Sequence, residues 1–485
     1  MRREIRNLFL LLLAGFTAAG LFALTDDAAP SEVPSGKSIA EPASSTLTER
    51  TLDPAVWGKL YPRQYAEWQR TTEKTGTKYG GGGSDTLATD RLTENPRLKI
   101  LFAGYAFSVD YRARRGHAYM LSDQRETQRV KPPFRQSGAC MQCHASNLSA
   151  YRDQGIADGA PGASTDPLVS PDGYAQLLRG FEKVGRMPFE EATKLVEHPL
   201  GCIDCHDPKT MKLRVTRPGF LSGIRALAAS EATAGLFPSI MQWRAGNRAE
   251  PYDPNALASR QEMRSFVCGQ CHSEYYCGPD TTLFYPWNNG LKAEEIETYY
   301  NFYKFPDGRN FSDWKHEESG ADLLKAQHPE FELWSQGLHA RTGVSCADCH
   351  MPSRQEGESR ISNHWVRSPL LEKLDVCQDC HLSTAEEVRA QVDDVQERTH
   401  KMLLRAEDAV VELIKTIVAA RSEGIEDEQL IEAREFQRGA QWRVDFISSE
   451  NSMGIHASSE TFRLLAEAMD LASRGRVVVQ NLKIR

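Results

Sequence analysis

Ten of the eleven cysteines fall into five C-x-x-C pairs, and histidine follows each pair at once. The motifs are Cys140, Cys143 and His144; Cys202, Cys205 and His206; Cys268, Cys271 and His272; Cys346, Cys349 and His350; and Cys377, Cys380 and His381. In C-x-x-C-H the two thiols bond a porphyrin covalently and the histidine supplies a proximal iron ligand. Chance would give roughly a hundredth of one such motif in a chain of this composition. Structural zinc is the alternative for cysteine and histidine. Its sites, however, pair one C-x-x-C with a distant second pair, not with a histidine fixed beside every second cysteine. Five covalent haems c are the expectation. The stretch Lys325–Pro352 adds further histidine chemistry. His339 precedes the fourth motif, placed as an axial ligand, and His328 lies beside a glutamine and a proline with no evident ligand partner.

Thirteen histidines less five proximal ones leave His117, His198, His316, His328, His339, His364, His400 and His456. Two histidines on every iron would require five of these, so the count alone decides neither for nor against an open iron. His400 and His456 are both possible distal ligands.

The elements that must position these groups are mostly helical. Cysteines three apart sit about one helical turn from each other, and no recurring strand alternation appears between the motifs. Trp57, Tyr61, Tyr65 and Trp68 recur at helical spacing and read as packing. Gly80–Gly83 reads as a loop, because the strand–helix context of a nucleotide site is missing. After His381 the pattern changes. Thr384 with Glu387 is a capping-box signature, and Val388, Val392, Val395, Met402, Val410, Leu413 and Ile417 form a stripe that Gly424 stops. Further helices are expected across Leu430, Ala433, Ala440, Val444 and Ile447, and from about Ser459 to Ser473. Such stripes need cover from the haem region or from a second copy of the chain, and a homodimer is the expectation. The fold class is therefore mainly α, a multihaem cytochrome c fold with covalent haems as core and long C-terminal helices. The expected division is an N-terminal signal or anchor over 1–25, a linker over 26–50, a pentahaem domain over 51–384 and C-terminal helices over 385–485.

Composition supports this class. A chain of 485 residues with 40% apolar and 26% charged content suits a globular protein, and its net charge of −8 argues against nucleic-acid binding. Arg2, Arg3 and Arg6 precede an apolar run from Leu8 to Leu24, the layout of an export signal or an uncleaved membrane anchor. Either one exports the body of the protein. Between Arg97 and Arg135 nine Lys/Arg face only Asp110, Asp123 and Glu126. That run is either a solvated face or a positive lining for a small anion.

The sequence resembles the ammonia-forming cytochrome c nitrite reductases over nearly its whole length. ILFAGYAFSVDY, RGHAYMLSDQRET, CGQCHSEYY, KAQHPEFELWSQGLH, NHW and GIHAS carry the likeness in order and spacing. The resemblance implies His117 as distal ligand of the third haem, His364 of the second, His456 of the fourth and His339 of the fifth. The first haem is then left open for nitrite, with Arg129, Tyr275 and His328 around it. A calcium ion would take the Glu274 carboxylate, the Tyr275 and Lys325 carbonyls and the Gln327 side chain, an oxygen set suited to Ca²⁺. The implied activity is six-electron reduction of nitrite to ammonium, with a membrane quinol-oxidising multihaem cytochrome as donor. A pure electron-transfer cytochrome and a hydroxylamine- or sulfur-oxyanion-converting relative are the alternatives. The sequence departs from the best-known members at CMQCH, where His144 stands in place of a lysine. Cys277 is the unpaired cysteine and reads as a buried thiol.

Overall fold

The computed structural model describes residues 47–484 except 74–75, 81–87, 135, 233–236 and 373. The expected signal or anchor, most of the linker and the glycine run at 81–83 lie outside the described residues. The main unit comprises 45–354 and 360–485, and the hairpin tip Gln355–Ser359 groups separately. Among the described residues no helix is long and apolar enough to cross a membrane.

The longer helices are α1 (Leu148–Ala157), α2 (Pro171–Arg186), α3 (Pro218–Ala229), α4 (Arg260–Gly269), α5 (Ala293–Phe302), α6 (Ala385–Ser422), α7 (Ile431–Ser449) and α8 (Ser458–Ile484). Strands among the described residues are confined to two two-stranded sheets. The N-terminal aromatic stripe is split between two short helices, Pro54–Gly58 and Pro62–Gln69. Pro62 separates them, because proline lacks the donor that would continue the first helix. Trp57 is buried and Tyr65 stacks on Trp68, so the stripe packs as expected.

Each C-x-x-C-H motif sits on or beside a short helical turn, including Met141–His144, Cys202–Asp204 and Cys346–His350. The first motif runs into α1, which crosses α2 at unusually short range. A β-carbon on Gly180 would fall 1.7 Å from the Tyr151 carbonyl oxygen, so only glycine permits that crossing.

α6 opens on the expected capping box. The Glu387 amide donates to Thr384 Oγ1 (3.2 Å) and the Thr384 amide to Glu387 Oε2 (2.8 Å). Its stripe of Leu403, Val410, Leu413, Ile414 and Ile417 is buried, as are Leu464, Leu465, Ala468, Ala472 and Val479 of α8. The two helices pack along their length. α8 runs on to Ile484, eleven residues past the expected Ser473. Gly475, a residue that weakens a helix interior, is retained because a β-carbon there would come 2.9 Å from Leu413.

α7 holds up the stretch that opens the fourth-motif region. Asp445 on α7 accepts from Lys325 Nζ (2.9 Å) and from the Ala326 amide (2.8 Å), both buried. Removing one member of such a pair costs about 3–5 kcal/mol, because the other charge is left buried. A wall of buried rings fixes the next residues: Phe331 lies 5.4 Å from Phe237 and 5.5 Å from Trp287 between ring centroids. The Phe331 amide also donates to the His272 carbonyl (3.0 Å), tying this wall to the third motif.

Candidate active site and haem-binding motifs

Four of the five motif histidines face a second imidazole. Ring centroids are 6.3 Å apart for His206 and His364, 6.3 Å for His272 and His117, 6.3 Å for His350 and His456, and 6.1 Å for His381 and His339. Two metal–imidazole bonds of about 2 Å with two half-rings span roughly 6 Å, so one iron fits between each pair. Among the described residues no second imidazole stands opposite His144 in this way. His400 instead lies against Tyr79 (4.9 Å), and His316 spends both ring nitrogens on the Ile100 carbonyl (2.8 Å) and the Ser319 amide (3.1 Å).

The rings are oriented by their Nδ1 atoms. His144 pairs with the Met120 carbonyl (3.2 Å), His206 with that of Met211 (2.9 Å), His350 with that of Arg367 (3.0 Å) and His364 with that of Ser362 (2.9 Å). A carbonyl at Nδ1 fixes the tautomer and leaves Nε2 as the ligating atom. Burial pushes His117, His144, His206 and His350 down to about 4, so each is the neutral base a metal requires. His272 and His456 differ. Burial lowers them too, but Glu330 and Glu450 outweigh it and shift both upward.

His272 also lies 6.4 Å from His328. Distance alone would allow His328 as its axial partner. However, the Nδ1 edge of His272 faces Glu330 (3.8 Å), two residues from His328. That arrangement leaves the Nε2 edge of His272 free for a metal.

Arg129, Tyr275 and His328 converge beside the first motif. The Arg129 charge acts on Cys140 and His144, Tyr275 lies close enough to Cys143 to act on its thiol, and His328 stands 6.4 Å from Tyr275. Arg129 is held by Thr127 Oγ1, which accepts from its Nε (3.2 Å) and backbone amide (3.3 Å) and donates to Asp110 Oδ2 (2.7 Å). Its guanidinium lies 4.2 Å over Phe107, and neither Nη atom has a protein partner among the described residues. Elsewhere in the basic run Arg97 pairs with Asp408, Arg112 with Asp110 and Arg115 with Asp123. Burial keeps the Tyr275 hydroxyl well above its usual range, so it remains a proton donor. Burial holds His328 well below its usual range, and its Nδ1 is sealed from solvent with no partner. The arrangement offers an anion a charged fork, a hydroxyl and an unpaired imidazole nitrogen.

The expected calcium ligands lie together. Glu274 is fully buried, with Tyr300 Oη donating to Oε1 (2.8 Å) and the Gln327 amide to Oε2 (2.6 Å). Burial pushes its carboxyl well upward, and Glu332 and Asp313 nearby add to this. Among the described residues no backbone N–H is paired with the Tyr275 or Lys325 carbonyl. A buried carboxylate among other acids, beside two carbonyls without backbone partners, fits an oxygen-ligated cation. No group of three or more His, Cys, Asp or Glu suited to a metal occurs among the described residues. A set with one carboxylate would not form such a group.

Sequence reasoning missed Arg114. Arg114 donates to the Ser449 carbonyl (2.7 Å) and to Asn451, which in turn donates to Glu330. Its charge reaches both His328 and His144. The basic run contained it, but nothing local separated it from its neighbours. Cys277, expected as a buried thiol, is half-buried instead, and its carbonyl accepts from Ser137 Oγ (3.4 Å).

The cytochrome c552 family profile matches residues 53–484. Cytochrome c-552 of Bacteroides fragilis is 34% identical over 436 residues, covering 88% of this chain and 76% of that protein. Cytochrome c-552 of Maridesulfovibrio salexigens is 31% identical over 444 residues, covering 88% and 75%. Among solved structures, the catalytic subunit of cytochrome c nitrite reductase from Desulfovibrio desulfuricans, with two calcium sites, superposes with a TM-score of 0.69. It is 27% identical, covering 90% of this chain and 88% of that one. With its helical multihaem fold and covalent haem-attachment motifs, the chain belongs to the cytochrome c552 family.

Proposed function

We propose that this protein is a periplasmic pentahaem nitrite reductase that converts nitrite to ammonium. The observation that carries the reading is the contrast between four facing imidazole pairs and a single His144, with Arg129, Tyr275 and His328 gathered at that motif. Haem bound at these motifs would supply the redox chemistry; His144 is the one motif histidine that no second imidazole faces among the described residues, and the four facing pairs would hold the centres that relay electrons. Arg129 binds and orients the nitrite anion through its free fork, as a planar cation suits a planar oxyanion. His328, neutral with an unpaired Nδ1, and Tyr275, a protonated phenol, hold protons where the N–O oxygens leave. Nitrite with eight protons and six electrons gives ammonium and two waters. Glu274, the Tyr275 and Lys325 carbonyls and the Gln327 side chain would hold calcium, which joins the Tyr275 backbone to the His328 stretch. A homodimer through the C-terminal helices and a membrane quinol-oxidising cytochrome as donor complete the proposal. Relative to the best-known members, His144 in place of lysine changes the axial donor, which alters rate and anion affinity and not the reaction type.

The test is turnover of the purified holoprotein with a reduced viologen, quantifying ammonium. The expected result is stoichiometric ammonium from nitrite, at rates exceeding those with hydroxylamine or sulfite. No nitrite consumption by a preparation carrying all its haems would reject the reading in favour of plain electron transfer.

A further inference from the structure

Spacer residues of two motifs and the residues just after a third meet at one fully buried arginine. Arg217, at the start of α3, has no exposed side-chain surface, and neither has Asp204, its ion-pair partner at 2.9 Å. Asp204 lies between Cys202 and Cys205 in the second motif. Arg217 Nη1 donates to Asn147 Oδ1 (2.7 Å) and Nη2 to the Ala145 carbonyl (2.9 Å), both just after His144. Gln270, between Cys268 and Cys271 in the third motif, accepts from the Arg217 amide (3.3 Å) and donates to the Asp204 carbonyl (2.9 Å). The ion pair is thus directional. Its positive end sits on the first and third motifs, where the Arg217 charge acts on the Cys143 and Cys271 sulfurs and at Cys271 outweighs that of Asp204. Its negative end sits in the second motif, where the Asp204 charge acts on Cys202 and Cys205 and at Cys205 outweighs that of Arg217.

We infer that Arg217 and Asp204 form a fixed dipole that makes electron transfer from the His206 centre toward the His272 and His144 centres downhill. This rests on the pentahaem reading above. A buried positive charge favours the reduced iron beside it and a negative charge the oxidised one, and neither is screened as a surface charge would be. Arg217 and Asp204 therefore act as positioning residues. An electron that leaves the His206 centre oxidises it by one electron and reduces the acceptor centre by one. The proposed external donor replenishes the centres with electrons, and nitrite takes them up at the His144 centre. Removing the dipole levels the two ends without touching any iron ligand.

The experiment is a potentiometric titration of the full holoprotein followed by electron paramagnetic resonance and optical spectra. The high-spin signal reports the His144 centre separately from the low-spin ones. In Arg217→Gln the reduced-to-oxidised ratio of the His144 centre at fixed potential should fall about tenfold, which is 59 mV for a one-electron couple. In Arg217→Lys, which keeps the charge, it should fall less than about threefold. Asp204→Asn should raise that ratio about tenfold at a low-spin centre, and combination with a His364→Met change of axial ligand should identify that centre as the His206 one. Equal shifts in the lysine and glutamine variants, or five attached haems with unmoved ratios in glutamine, would overturn the inference. If Arg217→Gln fails to assemble, Asp204→Asn decides, and an unmoved low-spin ratio there overturns it. A wild-type protein without five haems or a high-spin centre would instead reject the pentahaem reading itself.

Discussion

Replacing Arg129 by glutamine removes the cation from the proposed nitrite site and leaves every haem-attachment residue intact. Two Nη donors have no protein partner among the described residues, while Nε and the backbone amide are held by Thr127. A charge-assisted hydrogen bond is worth about 1.5–3 kcal/mol. Two of them at a half-exposed guanidinium, discounted for solvent screening, come to about 3 kcal/mol. That predicts a loss of about a hundredfold in kcat/KM for nitrite. Arg129→Lys keeps the charge but loses the planar fork and should retain roughly a tenth of wild-type kcat/KM. Thr127→Ala frees Nε without removing the charge and should fall between wild type and lysine. The assay is steady-state nitrite reduction with a viologen donor, on preparations matched for haem content by pyridine haemochrome. An Arg129→Gln enzyme with full haem content and kcat/KM within about threefold of wild type would refute the assignment.

Three further outcomes follow from the same geometry. His456→Ala should turn the fourth centre high-spin and roughly double the high-spin fraction, whereas His400→Ala should leave it unchanged; the reverse pattern would exchange their roles. Chelation with EGTA should lower both the melting temperature and nitrite turnover, and added Ca²⁺ should restore them by about 2.7 kcal/mol at a hundredfold excess over Kd; Glu274→Gln should be insensitive to either treatment. Glu407 is buried on α6, and burial pushes its carboxyl up to about 7, with Asn95 opposing. A raised carboxyl pKa stabilises the fold fully below its ordinary value near 4.5, and that contribution is lost as pH rises through about 7. Glu407→Gln should therefore gain stability relative to wild type between pH 5 and 8, by about 3 kcal/mol at the upper end, and a melting difference independent of pH would refute this.

The parts legible in the sequence were those set by local chemistry. C-x-x-C-H identifies its own ligand because thiols and imidazole must lie on one helical turn. Thr384 and Glu387 mark the start of α6 because their reciprocal bonds satisfy orphan amides of the first turn. The distal histidines were not legible that way. His117 precedes its partner by 155 positions and His456 follows its partner by 106, so only resemblance could suggest them before the ring pairs at 6.3 Å brought them together. Resemblance also preferred His456 to His400, and the structure sets His456 opposite His350 and His400 against Tyr79. The Arg217 hub was invisible for a different cause. Motif spacers look arbitrary in one dimension, and Asp204 and Gln270 acquire meaning only where three motifs meet. The end of α8 was missed because no breaker follows Ser473 except Gly475, whose role is close packing against Leu413.

The central claim is that one iron of five, the one on His144, is open and takes nitrite. Electron paramagnetic resonance of the oxidised holoprotein, with and without nitrite, tests it most directly. The account predicts five haems per chain, one high-spin, whose signal nitrite abolishes while the other four stay low-spin and unchanged. A protein with every haem low-spin and no response to nitrite would contradict it.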